Sequence, residues 1–260
     1  MKKWGILLGF VAVICIVSEV IAESKRLEEP VILDVVMDFD YNAIYVSFLT
    51  NTQQPAVLQS VEIDGKSYGS EPVSALYSAD ALKYAYSHAD YRYYSIYNSM
   101  HYWDDEMRDE LLEKASSLKR VKLYFQDDPK SYEADLLTVM PKEEWYFSLS
   151  SDPAVDGKMK VRVEVLDALT LTAVNLYEKH GKIDAIFKDG EAVSLPIMIE
   201  PGANLEVHLS EIPGLYDYDQ AYLQFTGTAN QKSFMEVIGV NVNEAASEAW
   251  VKERVGKHLE

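Results

Sequence analysis

The chain has 260 residues, room for two domains of ordinary size, and its 48% hydrophobic and 25% charged content is that of a globular protein, not a disordered one. It carries 24 Lys and Arg against 42 Asp and Glu, a net charge of −18, and a field this negative repels phosphate backbones and anionic headgroups, which argues against nucleic acid as a partner. The single cysteine, Cys15, lies in an apolar leader, so disulfides cannot staple the rest of the chain and its stability must come from burial, as suits an exported bacterial protein.

The leader opens on Lys2 and Lys3 and continues through residues 4–18 without a charge, followed by Glu19 and Val20-Ile21-Ala22. Two readings stand. It is a signal peptide cut near Ala22, or an anchor over residues 4–22, about enough helix to cross a hydrocarbon core of roughly 30 Å. Either way the basic start and the long body after it place the body outside the cytoplasm, touching the membrane through the leader only. Lipidation at Cys15 is disfavoured, because Ile14 stands where such signals want a small residue.

The body reads as strands. Segments 31–39, 44–50 and 56–63 are rich in β-branched and aromatic residues, and 121–126 and 132–139 continue the pattern. Later come 159–166, 169–177, 183–188, 204–209, 221–226 and 234–242. Asp64-Gly65 and Asp189-Gly190 are hairpin turns, since glycine accepts positive φ without steric cost. A shift of 125 superposes these turns and brings Ile44, Val46, Leu58 and Val61 onto Leu169, Leu171, Ile183 and Ile186. Downstream, a shift of 102 aligns Lys130-Ser131-Tyr132 with Lys232-Ser233-Phe234, and the two shifts differ by an insertion of 23 residues. The expectation is two tandem antiparallel β-sandwich domains, 30–143 and 144–242, after a 1–22 leader. In general architecture this resembles the immunoglobulin-like or fibronectin-like modules of exported Gram-positive proteins. The Cys…Trp…Cys pattern of true immunoglobulin domains is absent, so the resemblance implies a fold class and not a family.

The insertion falls within residues 70–118. Its first part, 77–103, holds eight of the 18 tyrosines. A helix follows, capped by Asp104 or Asp105, with Met107, Leu111, Leu112, Ala115 and Leu118 on one face. A last helix is expected in 243–260, starting near 244 behind an Asn243 cap, with Trp250, Val251, Val255 and Leu259 apolar; it packs on the second domain or on a partner.

Motifs that carry chemistry do not survive inspection. Gly65-Lys66-Ser67-Tyr68-Gly69 spells a nucleophile elbow, but it sits at a hairpin turn with Glu71-Pro72 after it, where no helix can follow directly. Read as a phosphate loop, it has Ser60 where the first glycine belongs. Asp38, Asp40 and Asn42 open like a calcium loop, but Ala43 and Leu49 replace the required glycine and glutamate. The five histidines are scattered, and only His88 with His101 offers even a loose pair. No catalytic residue, metal or cofactor is therefore expected. The expected function is a non-enzymatic binding module, using Tyr91, Tyr93, Tyr94, Tyr97, Tyr102 and Trp103 as an aromatic platform for a protein or carbohydrate. The alternatives are a hydrolase of wall polymer and a structural spacer.

Overall fold

The computed structural model describes residues 17–20, 24–69, 86–103, 105–141, 146–152, 155, 157–177, 181–212, 220–242 and 246–259. The leader, apart from residues 17–20, and the part of the Tyr-rich segment before Tyr86 lie outside them. Among the described residues no helix is long and apolar enough to cross a membrane.

Alternating apolar residues put one face of most strands toward the core of their own half. The first half contains β1 (Val31–Asp38), β2 (Ala43–Asn51), β3 (Leu58–Ile63), β4 (Lys66–Gly69), β5 (Tyr86–Asp90), β6 (Tyr94–Tyr102), helix α1 (Asp105–Lys114), β7 (Arg120–Phe125), β8 (Ser131–Asp135) and β9 (Leu137–Val139). These strands make two sheets, β5-β6-β2-β1-β9 and β4-β3-β7-β8, antiparallel except where β1 meets β9. Val35, Met37, Val46 and Phe48 from one sheet interlock with Leu58, Val61, Leu123 and Phe125 from the other. Leu111, Ala115 and Leu118, on α1 and the turn behind it, close this core as their spacing predicts.

The second half contains β10 (Phe147–Ser151), β11 (Met159–Val165), β12 (Leu169–Leu176), β13 (Lys182–Lys188), β14 (Glu191–Ala192), β15 (Ile197–Ile199), β16 (Asn204–Ser210), β17 (Gln220–Ala229) and β18 (Lys232–Asn241). Its sheets run β10-β11-β16-β13-β14 and β15-β12-β17-β18. Lettering the strands A to G as β10, β11, β12, β13, β16, β17 and β18 gives A-B-E-D facing C-F-G, the constant-type immunoglobulin order, with β14 and β15 as edge additions. The protein is thus a mainly β, immunoglobulin-like assembly of antiparallel sandwiches.

The shift of 125 joins equivalent strands: β2, β3 and β4 correspond to β12, β13 and β14. Both hairpins turn on an Asp-Gly pair with all four residues at positive φ, 50° and 78° at Asp64-Gly65 and 50° and 87° at Asp189-Gly190. Each also carries a bulge at the same offset, between Leu58 and Ser60 and between Ile183 and Ala185. The shift of 102 does not join equivalent strands. β7 pairs β3 in its own sheet, and its counterpart is β16, which pairs β13; β17 lies in the opposite sheet beside β12. Leu58 pairs Phe125 where Ile183 pairs Leu209, spans of 67 and 26 residues, so the first half carries 41 extra residues between these strands rather than 23. The Lys-Ser-aromatic match joins the β7-β8 hairpin to the β17-β18 hairpin, which hold different places in their sheets.

The sheet containing β2 is covered on both faces, which is why β2 is buried almost end to end. Helix α2 (Glu248–Leu259) lies on its outer face. Val251, Val255 and Ala246 pack there with Leu27, Val31, Leu33, Leu49, Tyr94 and Ile96. Farther along the same face, Val36 and Val139 meet Tyr222 and Val237 from β17 and β18, so the two halves share an apolar contact. The C-terminal helix therefore returns to the first sandwich and not to the second. Ser247 caps it, its hydroxyl accepting the Trp250 N–H at 3.2 Å; the expected cap, Asn243, lies outside the described residues.

Candidate functional site

Three segments converge at the end of β2. The Asn51 side chain accepts the Leu27 N–H at 2.9 Å and donates to the Leu27 carbonyl at 2.7 Å, pinning the segment that carries Lys25 and Arg26. The Thr52 N–H donates to the Tyr93 carbonyl at 3.1 Å, and its hydroxyl donates to the Tyr91 carbonyl at 3.3 Å. The turn between β5 and β6 closes with the Tyr91 N–H on the Tyr94 carbonyl at 2.8 Å, which brings Arg92 to the same rim. Between these segments lies a hollow of about 340 Å³.

Lys25, Arg26 and Arg92 line the hollow, with the polar stretch Asn51–Gln54, the ring of Tyr93, and Ser18 from the leader. No Asp or Glu is among its described lining residues. The guanidinium of Arg26 donates to the Gln54 amide oxygen at 2.9 Å. That of Arg92 sits 5.1 Å from the centre of the Tyr93 ring, a cation–π contact that holds it over the hollow. In a chain with a large acidic excess this is a local reversal of sign.

The structure distributes the expected aromatic platform. Tyr94 and Trp103 are 5% and 9% exposed, Tyr94 under α2 and Trp103 against Phe39 at 5.7 Å. Tyr97 is half-buried on the opposite face of β6, stacked on Phe48 at 5.8 Å. Tyr91 packs at the α2 contact, where its hydroxyl donates to the Ala246 carbonyl. Burial raises the hydroxyl pKa of Tyr91, Tyr94 and Tyr97 above the ordinary value. The Tyr102 side chain is outside the description. Tyr93 alone of the five described aromatics lines the hollow. The basic residues at the site carry a readable signal: Lys25-Arg26 follows the leader after Glu23-Ser24, and Arg92 interrupts the tyrosine run.

A second charged group lies on the outer face of the sheet of β11 and β16. Arg162 makes a bidentate pair with Asp152 at 2.8 and 2.7 Å and reaches Glu206 at 3.4 Å. Glu206 also binds His208, and the Ser210 hydroxyl donates to Asp184 at 2.7 Å. A serine nucleophile needs its hydroxyl on the imidazole. Here the hydroxyl goes to one carboxylate and the imidazole to another, so the group is a cross-strand charge ladder.

The remaining leads resolve structurally. Ser67 sits in β4, paired with Glu62 across the hairpin, and not on a strand-to-helix elbow. The Asp38 carboxylate accepts the backbone N–H groups of Asp40 and Tyr41, at 2.9 and 3.3 Å, which makes a turn of the would-be calcium loop. His88 pairs Tyr97 in the register of β5 and β6, four positions from His101, or roughly 13 Å along the strand. His101 instead shares a 2.6 Å hydrogen bond with Ser99, and burial pushes its pKa down to about 4. No group of three or more metal-ligating side chains occurs among the described residues.

No protein-family model matches the chain, and no curated protein matches its sequence. Among solved structures the chain is similar to a chimeric titin Z1Z2-Z1Z2 tandem, at 7% identity and a TM-score of 0.22, over 83% of this chain and 100% of that one. Bovine butyrophilin gives 7% identity and a TM-score of 0.23 over 81% and 95% of the two chains. A chicken TCR gives 8% identity and a TM-score of 0.21 over 83% and 100%. At such scores these likenesses add nothing to the strand order itself.

Proposed function

We propose that this chain is a non-enzymatic interaction module working outside the cytoplasm, held by residues 4–22 or released by a cut near Ala22, and that its binding site is the hollow at the end of β2. The observation that carries the reading is the hollow itself: three cationic side chains, several polar side chains and one aromatic ring in a concavity of about 340 Å³ with no acidic group among its described lining residues. This is the low end of the size range of ligand pockets. Cations, side-chain amides and a ring suit recognition, and among the described lining residues there is neither a nucleophile–base pair nor a pair of converging carboxylates for hydrolysis. The leader supports the location, since its basic start and long following body favour translocation of the body.

Photo-crosslinking tests the reading in cells. A benzophenone side chain at Gln53, on the hollow, is expected to give a discrete adduct in the membrane or secreted fraction, and one at Lys188 is not. N-terminal sequencing of the recovered protein reports whether the leader is cut. Indistinguishable adduct patterns from the two positions, or recovery from the cytosol alone, would defeat the proposal.

A further inference from the structure

Resting on the reading of the hollow as a binding site, we infer that it takes a phosphate group, that of an anionic phospholipid headgroup at the membrane surface. The first support is charge. Lys25, Arg26 and Arg92 all line the hollow, no Asp or Glu is among its described lining residues, and an anion seated there meets three cationic side chains. The net charge of −18 does not forbid this, because at physiological salt fields are screened beyond roughly 8 Å, whereas groups in direct contact are screened much less.

The second support is geometry. A guanidinium is a planar fork that matches two phosphate oxygens, and a lysine ammonium adds a point charge to a third. Both arginines are already oriented, Arg26 by Gln54 and Arg92 by the Tyr93 ring, so binding loses less side-chain entropy than it would with free arms. Asn51 fixes the Lys25–Leu27 segment from below. The Tyr93 ring offers an amphipathic wall to the glycerol portion of a headgroup.

The third support is place. Ser18, within the leader, lines the hollow, and Lys25 and Arg26 come two residues after the leader ends. If the leader enters the bilayer, the hollow lies at headgroup depth. The contact then extends beyond the leader to the folded body and sets the body's orientation on the membrane.

The test is calorimetric titration of the full chain in an uncharged polyoxyethylene detergent. The probes are dihexanoylphosphatidylglycerol below its micellar concentration, inorganic phosphate, and chitotriose as an uncharged sugar. Saturable binding of the lipid is expected, weakened about tenfold or more by Arg92→Gln, because a charge-assisted hydrogen bond to phosphate is lost. Arg92→Lys should recover part of the affinity, and Lys188→Gln, far from the hollow, should leave it unchanged. Unaltered melting of Arg92→Gln separates lost binding from lost folding. Arg92-dependent binding of inorganic phosphate as tight as that of the lipid would keep the phosphate chemistry and overturn the lipid source. Binding of chitotriose alone would overturn the phosphate inference while the hollow stands as a binding site, and silence from all three probes would overturn both.

Discussion

The Tyr91 hydroxyl donates to the Ala246 carbonyl at 2.8 Å, joining positions 155 residues apart. It is the polar end of an otherwise apolar contact between α2 and the β1-β2-β6 sheet, whose central helix residue, Val251, is fully buried. Tyr91→Phe is expected to cost about 1 kcal/mol, the net worth of one hydrogen bond. Val251→Ala is expected to cost about 2 kcal/mol, from lost burial and the space left behind. Denaturant unfolding measures both. Hydrogen exchange should show the amides of α2 and of Tyr94 losing protection before those of β16.

Asn51→Ala removes both hydrogen bonds to Leu27 and leaves that residue's backbone groups to find other partners. The expected loss is about 1–2 kcal/mol. Its effect should be local as well as global: the Leu27 amide exchanges faster in the variant, while the Val207 amide in β16 follows only the change in overall stability. Equal changes at the two amides would show that the Lys25–Leu27 segment is held by something else.

His101 is neutral in the folded chain down to a pKa of about 4, whereas in the unfolded chain it protonates at its ordinary value of 6.5. The unfolded state therefore binds the extra proton between these values. The contribution of the buried neutral imidazole is intact above pH 6.5, erodes as pH falls from 6.5 toward 4, and levels off below, for a total of at most about 3 kcal/mol. Urea unfolding at pH 7.5, 5.5 and 4.5 measures it. His101→Gln should flatten the pH dependence across that window, and an equally steep profile in the variant would assign the effect to other groups.

Two glycines should respond oppositely to alanine. A Cβ at Gly227 would lie 2.2 Å from the Thr170 carbonyl oxygen and 2.9 Å from the Phe234 ring, where β12 and β17 run close beside a bulge. Gly227→Ala is expected to cost about 3 kcal/mol or more by overpacking. A Cβ at Gly256 meets nothing within 4 Å on the exposed side of α2. Gly256→Ala should raise stability by up to about 1 kcal/mol through helix propensity. Thermal melting of the pair checks the contrast.

What was legible in the sequence is what is local. The Asp64-Gly65 and Asp189-Gly190 turns, the alternating strands around them and the apolar face of α1 follow from the preferences of a few neighbouring residues. The route of the chain was less legible. Nothing within Trp250, Val251 and Val255 says which of two sandwiches their face will cover, because an apolar stripe carries no address. The tyrosine run misled for a related reason. On β6, Tyr94 and Ile96 point to one face and Tyr97 to the other, an alternation that resembles one buried and one free face until α2 arrives to cover the second. The hollow was hidden because its cations come from segments 66 residues apart, Arg26 and Arg92, which are joined across Asn51 and Thr52.

The return of residues 246–259 to the sheet laid down by residues 31–102 has a consequence in time. A chain made from its N-terminus completes β1, β2 and β6 early, yet Leu33, Leu49 and Ile96 stay bare until the whole second sandwich has been made and α2 follows it. The earliest part of the molecule is thus the last to be sealed. Over that interval an apolar strip is open to chaperones or to a neighbouring chain, and shortening the protein from its far end should expose that strip in the first sandwich while leaving the core of the second intact.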